Sequence, residues 1–295
     1  MRVIAFTGGE CFLLGEELDS LIAHAKSYGL ATCCVTNGYW ASSRQTAERR
    51  IGRLAQAGLE EIRFSTGTFH AQHVPVERVV NGACASVRAG LKTRVFIENP
   101  NEQEFDISSL VQDSEMERFI SRRQIKINRS VWIQNGGTGK LSRRSDRSRL
   151  APIRRRGCST VLQALAVTPN EILAACCGLP LEKLPELHLG SVKNATLGKR
   201  IQEAPDDFLK MWIRVAGPQR IWEFVRRHVP GYDLPLRAAH PCEMCLQLYR
   251  DEKAQQIIRD CYEEVELRIR LSYLAGLAAA EVGRAFRLLK SDFVT

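Results

Sequence analysis

No uninterrupted apolar stretch in the 295 residues approaches the roughly 18 that a membrane-crossing helix needs. The N-terminus also lacks a basic segment followed by an apolar segment and a small-residue cleavage site, so no secretory signal is expected. Both absences point to the cytoplasm. No internal repeat is visible, and no DNA-reading motif. What is present is an ordinary globular composition, 44% hydrophobic and 25% charged. A chain of this length buries enough surface for a stable core without disulfides.

The net charge is +9, and its densest run is KLSRRSDRSRLAPIRRR, from Lys140 to Arg156. Clustered cations serve phosphate contacts, but no aromatic residues interleave for base stacking. The run is therefore read as a solvated basic connector between domains, and nucleic acid is not the expected partner. Cysteine is the unusual residue, with ten. In a cytoplasmic chain, cysteines at motif spacing suggest a metal more than disulfides. Cys33, Cys34 and Cys84 sit in apolar settings and read as small core residues, and Cys261 reads as a packing residue on the helical tail.

Strand and helix signals alternate through the first half. Val3 to Phe6, residues 31–38, 61–66, 91–98 and 131–135 read as strands. Between them, Glu16 to Tyr28, Ser42 to Ala57, Pro75 to Ala89 and Asp106 to Ser121 carry helical periodicity, with Gly29, Gly58 and Gly90 as stops. Such alternation predicts parallel βαβ units in a sheet or partial barrel. Ligands then meet the carboxyl ends of the strands. Gly8-Gly9-Glu10, Thr36-Asn37-Gly38, Ser65 and Gly136-Gly137 all fall at such ends.

The ordered set FTGGECFLLGEEL, ATCCVTNGYW, FSTGTFHAQHVP and WIQNGGTGKL resembles the radical SAM superfamily over about residues 3 to 140. The family's usual Gly-Gly-Glu-Pro turn has Cys11 at its proline position here. Gly67 stands where an Asp is common, while Ser65, Phe69, His70 and Pro75 fit. The resemblance implies that Gly8, Gly9 and Glu10 hold the methionine part of S-adenosylmethionine, with Asn37 and Ser65 also at the cofactor. A glycine pair admits close approach because it has no Cβ, and Glu10 would place negative charge near an ammonium. The other reading of the turn is local, with Glu10 capping the next helix. His70 and His73 are ranked as cavity-bordering or surface residues rather than catalytic ones. The family's Cys-x3-Cys-x2-Cys cluster loop, which holds the catalytic [4Fe–4S] cluster, occurs nowhere in the sequence. The chain is expected to begin at the family's second strand, without that loop.

In the second half, CSTVLQALAVTPNEILAACCG from Cys158 resembles the start of a SPASM or Twitch-type auxiliary-cluster domain: a cysteine, a hairpin, and a second cysteine. The turn here is Asn170-Glu171, with Glu171 where a glycine is usual. HPCEMC adds Cys242 and Cys245 as Cys-x2-Cys, a spacing that lets two thiolates grip one metal from a tight turn. By resemblance Cys158, Cys176, Cys242 and Cys245 hold one auxiliary [4Fe–4S] cluster, with Cys177 an alternative to Cys176. Zinc and unliganded burial remain open on spacing alone.

The expected architecture is α/β: a partial (β/α) barrel over residues 1–139, a basic linker over 140–157, a small cysteine-containing domain over 158–249 and a helical tail over 250–295. The expected function follows from the resemblance. A full-length relative would cleave S-adenosylmethionine to modify a peptide, protein or small substrate, taking an electron from a donor. This chain would retain the cluster-binding half but be incomplete for catalysis. The rival reading is a non-catalytic iron–sulfur or zinc-binding module.

Overall fold

The computed structural model describes residues 2–99, 105–131, 157–178, 181–232 and 240–291. It divides into two compact units, Met1–Ser145 and Asp146–Thr295.

The first unit is one parallel sheet. Its strands are β1 (Val3–Phe6), β2 (Ala31–Thr36), β3 (Glu61–Gly67), β4 (Lys92–Asn99) and β5 (Ile125–Val131). They lie side by side in chain order, each parallel to the last. The crossovers carry α1 (Glu16–Ser27), α2 (Arg44–Ala57), α3 (Val76–Arg88), and the pair α4 (Ser108–Val111) and α5 (Ser114–Ser121). Parallel strands require such crossovers, and a constant right-handed turn in a sequentially ordered sheet puts the helices on one face.

Local chemistry sets the boundaries. Ser43 caps α2 by accepting the Thr46 amide, and Gly58 ends it at a φ of 105°. Asp113 caps α5 through the amides of Glu115 and Met116, splitting the expected 106–121 helix in two. The apolar stripes of the helices (Leu18 and Ile22, Ile51 and Leu54, Val79 and Ala83, Met116) meet Cys34, Ile62, Phe64, Val95, Ile97 and Ile125 of the strands in one buried core. Each large side chain so buried contributes on the order of 1.5–3 kcal/mol. The alternate strand positions, Glu61, Arg63, Ser65, Arg94 and Asn128, are only half buried. They face away from the helices, because side chains alternate across a strand.

One element departs from its sequence signal. The fifth strand starts at Ile125, not at Val131. Its polar-alternating stretch IKINRS hides it from a search for apolar runs. Residues 132–156 lie outside the described residues, and with them the 132–135 part of the expected strand, Gly136, Gly137, Gly139 and nearly all of the basic connector.

The second unit opens with a three-stranded antiparallel sheet, β6 (Ala166–Val167), β7 (Ile172–Ala174) and β8 (His188–Ser191). Helices follow: α6 (Leu197–Glu203), α7 (Phe208–Ala216), α8 (Pro218–His228), α9 (Pro241–Arg250), α10 (Glu252–Cys261) and α11 (Glu263–Ser291). Their core is built on Trp212, Trp222, Phe224, Leu248 and Met244. Val265 and Ile269 of α11 are buried in it too, so the start of the expected tail shares this core. Further along, Leu267, Leu271, Leu274 and Leu277 are exposed. No helix of the described residues is long and apolar enough to cross a membrane.

Candidate functional sites

The carboxyl ends of β1 to β4 form the first candidate site. Gly8 adopts a φ of 112°, and nothing lies within 4 Å of where a Cβ would stand on Gly8 or Gly9. The glycine pair is therefore open to a ligand. Glu10 is held by two backbone donors. Its Oε1 accepts the Phe12 amide at 3.1 Å, capping the short helical turn Cys11–Leu14, and its Oε2 accepts the Asn37 amide at 2.8 Å. One carboxylate thus ties the turn after β1 to the turn after β2.

Asn37 in turn accepts the Tyr39 amide at 2.9 Å through its own side chain. Thr36 accepts from the Gly38 amide and the Trp40 indole, each at 3.0 Å. The Trp40 ring stacks on Phe12 with centroids 4.4 Å apart. Cys11 and Cys34 are both buried in the same core as Phe12. The Cys34 thiol is pushed far up, first by its hydrogen bond with Cys11 and then by burial. Burial likewise pushes Cys33 up to about 11 and Cys84 to about 12. All three remain protonated core thiols.

Ser65 pairs in register with Phe96, and Phe96 with Asn128, so the three share one level on the face away from the helices. The Asn128 Oδ1 is buried without a hydrogen-bond partner.

The sequence reading missed Glu98. It lies at the end of β4, in register with Gly67, and is 5% exposed. Its Oε1 accepts the amides of Phe69 at 2.6 Å and His70 at 3.0 Å, and His70 Nδ1 stands 3.2 Å away. Its Oε2 is buried with no partner. Gly67 is a glycine because of this residue: a Cβ there would lie 1.2 Å from Glu98 Oε2, at a φ of 139°. Where an Asp is common in the resembled pattern, this chain has bare backbone and a carboxylate from the adjacent strand. The signal was a lone Glu ending an apolar strand, but only the pairing register places it beside Gly67.

The second candidate site, in the second unit, is the cysteine cluster. Cys158 is pinned to α7: its amide donates to Ile213 O at 2.9 Å, and its carbonyl accepts from Arg214 Nη1 at 2.8 Å. Cys176 follows β7, held by the bond from the Ala175 amide to Leu187 O at 2.8 Å. Cys242 and Cys245 lie in the first turns of α9. His240 caps that helix by accepting the Cys242 amide at its Nδ1, 3.2 Å away, and burial holds its imidazole below the usual value.

Cys176 and Cys245 are buried in one core, and Cys158 packs against it. The Cys245 thiol is driven well up, first by burial and then by the charges of Cys242, Cys176 and Cys158. Cys176 is raised by burial and by Cys158 and Cys177, and lowered by the Gly178 amide that donates to its sulfur at 3.4 Å. The fold thus brings three separate segments together at one place. Cys177 points outward and is exposed.

Sulfurs around a single tetrahedral zinc lie roughly 3.8 Å apart, from bonds of about 2.3 Å. The groups of three or more candidate ligand atoms that close within 4.8 Å of one another are elsewhere among the described residues: His228, Cys261 and Glu264, and Cys84, Asp113 and Glu115. The four cysteines do not form such a group. A thiol kept neutral by burial and by neighbouring thiols becomes a good ligand once a cationic centre reverses the local charge.

Compared with protein-family models and with curated proteins, the chain matches none.

Proposed function

We propose that the chain is a radical SAM/SPASM-like iron–sulfur protein. Its second unit would hold one [4Fe–4S] cluster through Cys158, Cys176, Cys242 and Cys245. The carboxyl ends of its parallel strands would take S-adenosylmethionine against Gly8, Gly9, Glu10, Asn37 and Ser65. The observation that carries this reading is the meeting of four thiols from three segments, two of them in the first turns of one helix. Four Cys thiolates are the usual ligand set of such a cluster.

The sequential parallel order of β1 to β5 supports a sector of a (β/α) barrel. Glu98 adds a buried carboxylate to the mouth, where a ribose hydroxyl or an ammonium would satisfy its partnerless oxygen. The Cys-x3-Cys-x2-Cys spacing occurs nowhere in the 295 residues, so the proposal for this chain is cofactor binding. Cleavage of S-adenosylmethionine and modification of a peptide or protein substrate, with an external electron donor, belong to relatives that carry that spacing.

Anaerobic purification with iron and sulfide analysis tests the reading. About four irons and four sulfides per chain are expected, with a broad absorbance near 400 nm that Cys245→Ser removes. Stoichiometric zinc with no iron would instead establish the zinc-module alternative. Binding of S-adenosylmethionine by equilibrium dialysis tests the first unit separately, and Glu10→Ala should abolish it.

A further inference from the structure

A second cluster of ligand atoms lies apart from these four cysteines in the second unit. His228 ends α8, Cys261 ends α10, and Glu264 stands in the first turn of α11. One ligand atom from each lies within 4.8 Å of the other two. Cys261 and Glu264 come from one corner with Cys-x2-Glu spacing, and His228 arrives from a different helix.

The imidazole is already oriented. Its Nδ1 lies 3.0 Å from Phe224 O. A carbonyl can only accept, so Nδ1 carries the hydrogen and Nε2 faces the cluster. The ring also packs on Phe224, with centroids 4.4 Å apart. A backbone carbonyl behind the far ring nitrogen is the usual support of a metal-binding histidine. Nε2 lies 2.8 Å from Glu264 Oε1. An ion pair accounts for those two residues, and Cys261, which packs against the core, holds its sulfur beside both.

The other close cluster is different. Glu115 is held by Arg88 and Arg44, and Asp113 by Arg44 and the amides it caps. Those carboxylates are already engaged by cations. Around His228, the Arg227 guanidinium lies over the Phe224 face at 5.4 Å.

We propose that His228, Cys261 and Glu264 form a Zn²⁺ site on the surface of the second unit, with water as fourth ligand. Sulfur, imidazole nitrogen and carboxylate oxygen together suit this borderline ion. One thiolate and one carboxylate balance its charge, so a half-exposed site stays neutral. Binding releases the Cys261 thiol proton to solvent, and the Nε2 proton wherever the imidazole is protonated. Glu264 is exposed and can swing outward to widen the 2.8 Å contact to metal-binding distance. The bound ion would clamp the ends of α8 and α10 to the start of α11.

The test is Co²⁺ and Zn²⁺ titration of the full-length chain beside Cys261→Ser, His228→Ala and Glu264→Gln. The wild type should bind one more equivalent than Cys261→Ser. The Co²⁺ difference spectrum between them should show a thiolate charge-transfer band. His228→Ala should weaken that equivalent more than tenfold, and Zn²⁺ should raise the melting temperature of the wild type more than that of any variant. Glu264→Gln, at an exposed position, carries the comparison if either other variant fails to fold. Equal stoichiometry and superimposable Co²⁺ spectra across wild type and the folded variants would overturn the proposal, whatever the four other cysteines bind.

Discussion

Gly67 and Glu98 exclude each other's side chains: a Cβ on residue 67 would lie 1.2 Å from the Glu98 carboxylate and 2.3 Å from its backbone oxygen. Gly67→Ala should therefore destabilise the first unit by about 2–4 kcal/mol, from overpacking and from the left-handed backbone together. Adding Glu98→Ala should recover only part of that, since the backbone oxygen remains. Urea melts of the three variants decide it, and a Gly67→Ala protein as stable as wild type would show that the register of β3 on β4 is wrong.

Glu10 links two turns through the Phe12 and Asn37 amides. Glu10→Ala leaves both donors without their charged acceptor, at a cost of about 1–3 kcal/mol. The loss should appear without any ligand present, which separates this structural task from cofactor binding.

The turn between β6 and β7 places Glu171 at a φ of 59°, where a glycine is usual in the resembled pattern. A non-glycine residue there costs about 1–2 kcal/mol, while glycine carries its own entropic cost of about 0.5–1 kcal/mol. Glu171→Gly should accordingly be near neutral or slightly stabilising. Glu171→Val, β-branched, should lose at least about 1 kcal/mol. Equal melting temperatures for the Val and Gly variants would argue against strain at this turn.

Glu115 is held below the usual carboxylate range, chiefly by its hydrogen bond with Arg88. A depressed folded value means a stabilisation that is complete above the unfolded glutamate value of about 4.3. It is lost as pH falls through the lower folded value. As pH falls below that unfolded value the wild type should lose more stability than Glu115→Gln. Parallel stability curves for the two proteins would remove the Arg88 pairing from the account.

Cys176 shares the buried core with Cys245, whereas Cys177 faces outward. Cys177→Ser should keep the iron content of the wild type, and Cys176→Ser should lose most of it. The reverse result in iron analysis would reassign the ligand.

Much of the first unit was legible in the sequence. Helical stripes such as Leu18 and Ile22, with Gly29 and Gly58 as stops, announce α1 and α2, because burying an apolar stripe and ending a helix on a left-handed residue are local requirements. The start of the fifth strand was missed because IKINRS alternates polar and apolar residues, as a strand with one half-exposed face does. The Cys-x2-Cys pair and the hairpin between Cys158 and Cys176 were also visible as patterns.

The sequence by itself determined the parallel α/β order of the first unit, since strand–helix alternation admits few other packings, and it singled out the cysteines at motif spacing. Only the tertiary structure decided that Cys176 rather than Cys177 faces Cys245, that Glu98 supplies the carboxylate beside Gly67, and that His228 meets Cys261 and Glu264. The reason is that each of these depends on register or on the approach of helices far apart in the chain. Such contacts arise from packing around a core and leave no periodic trace along the sequence.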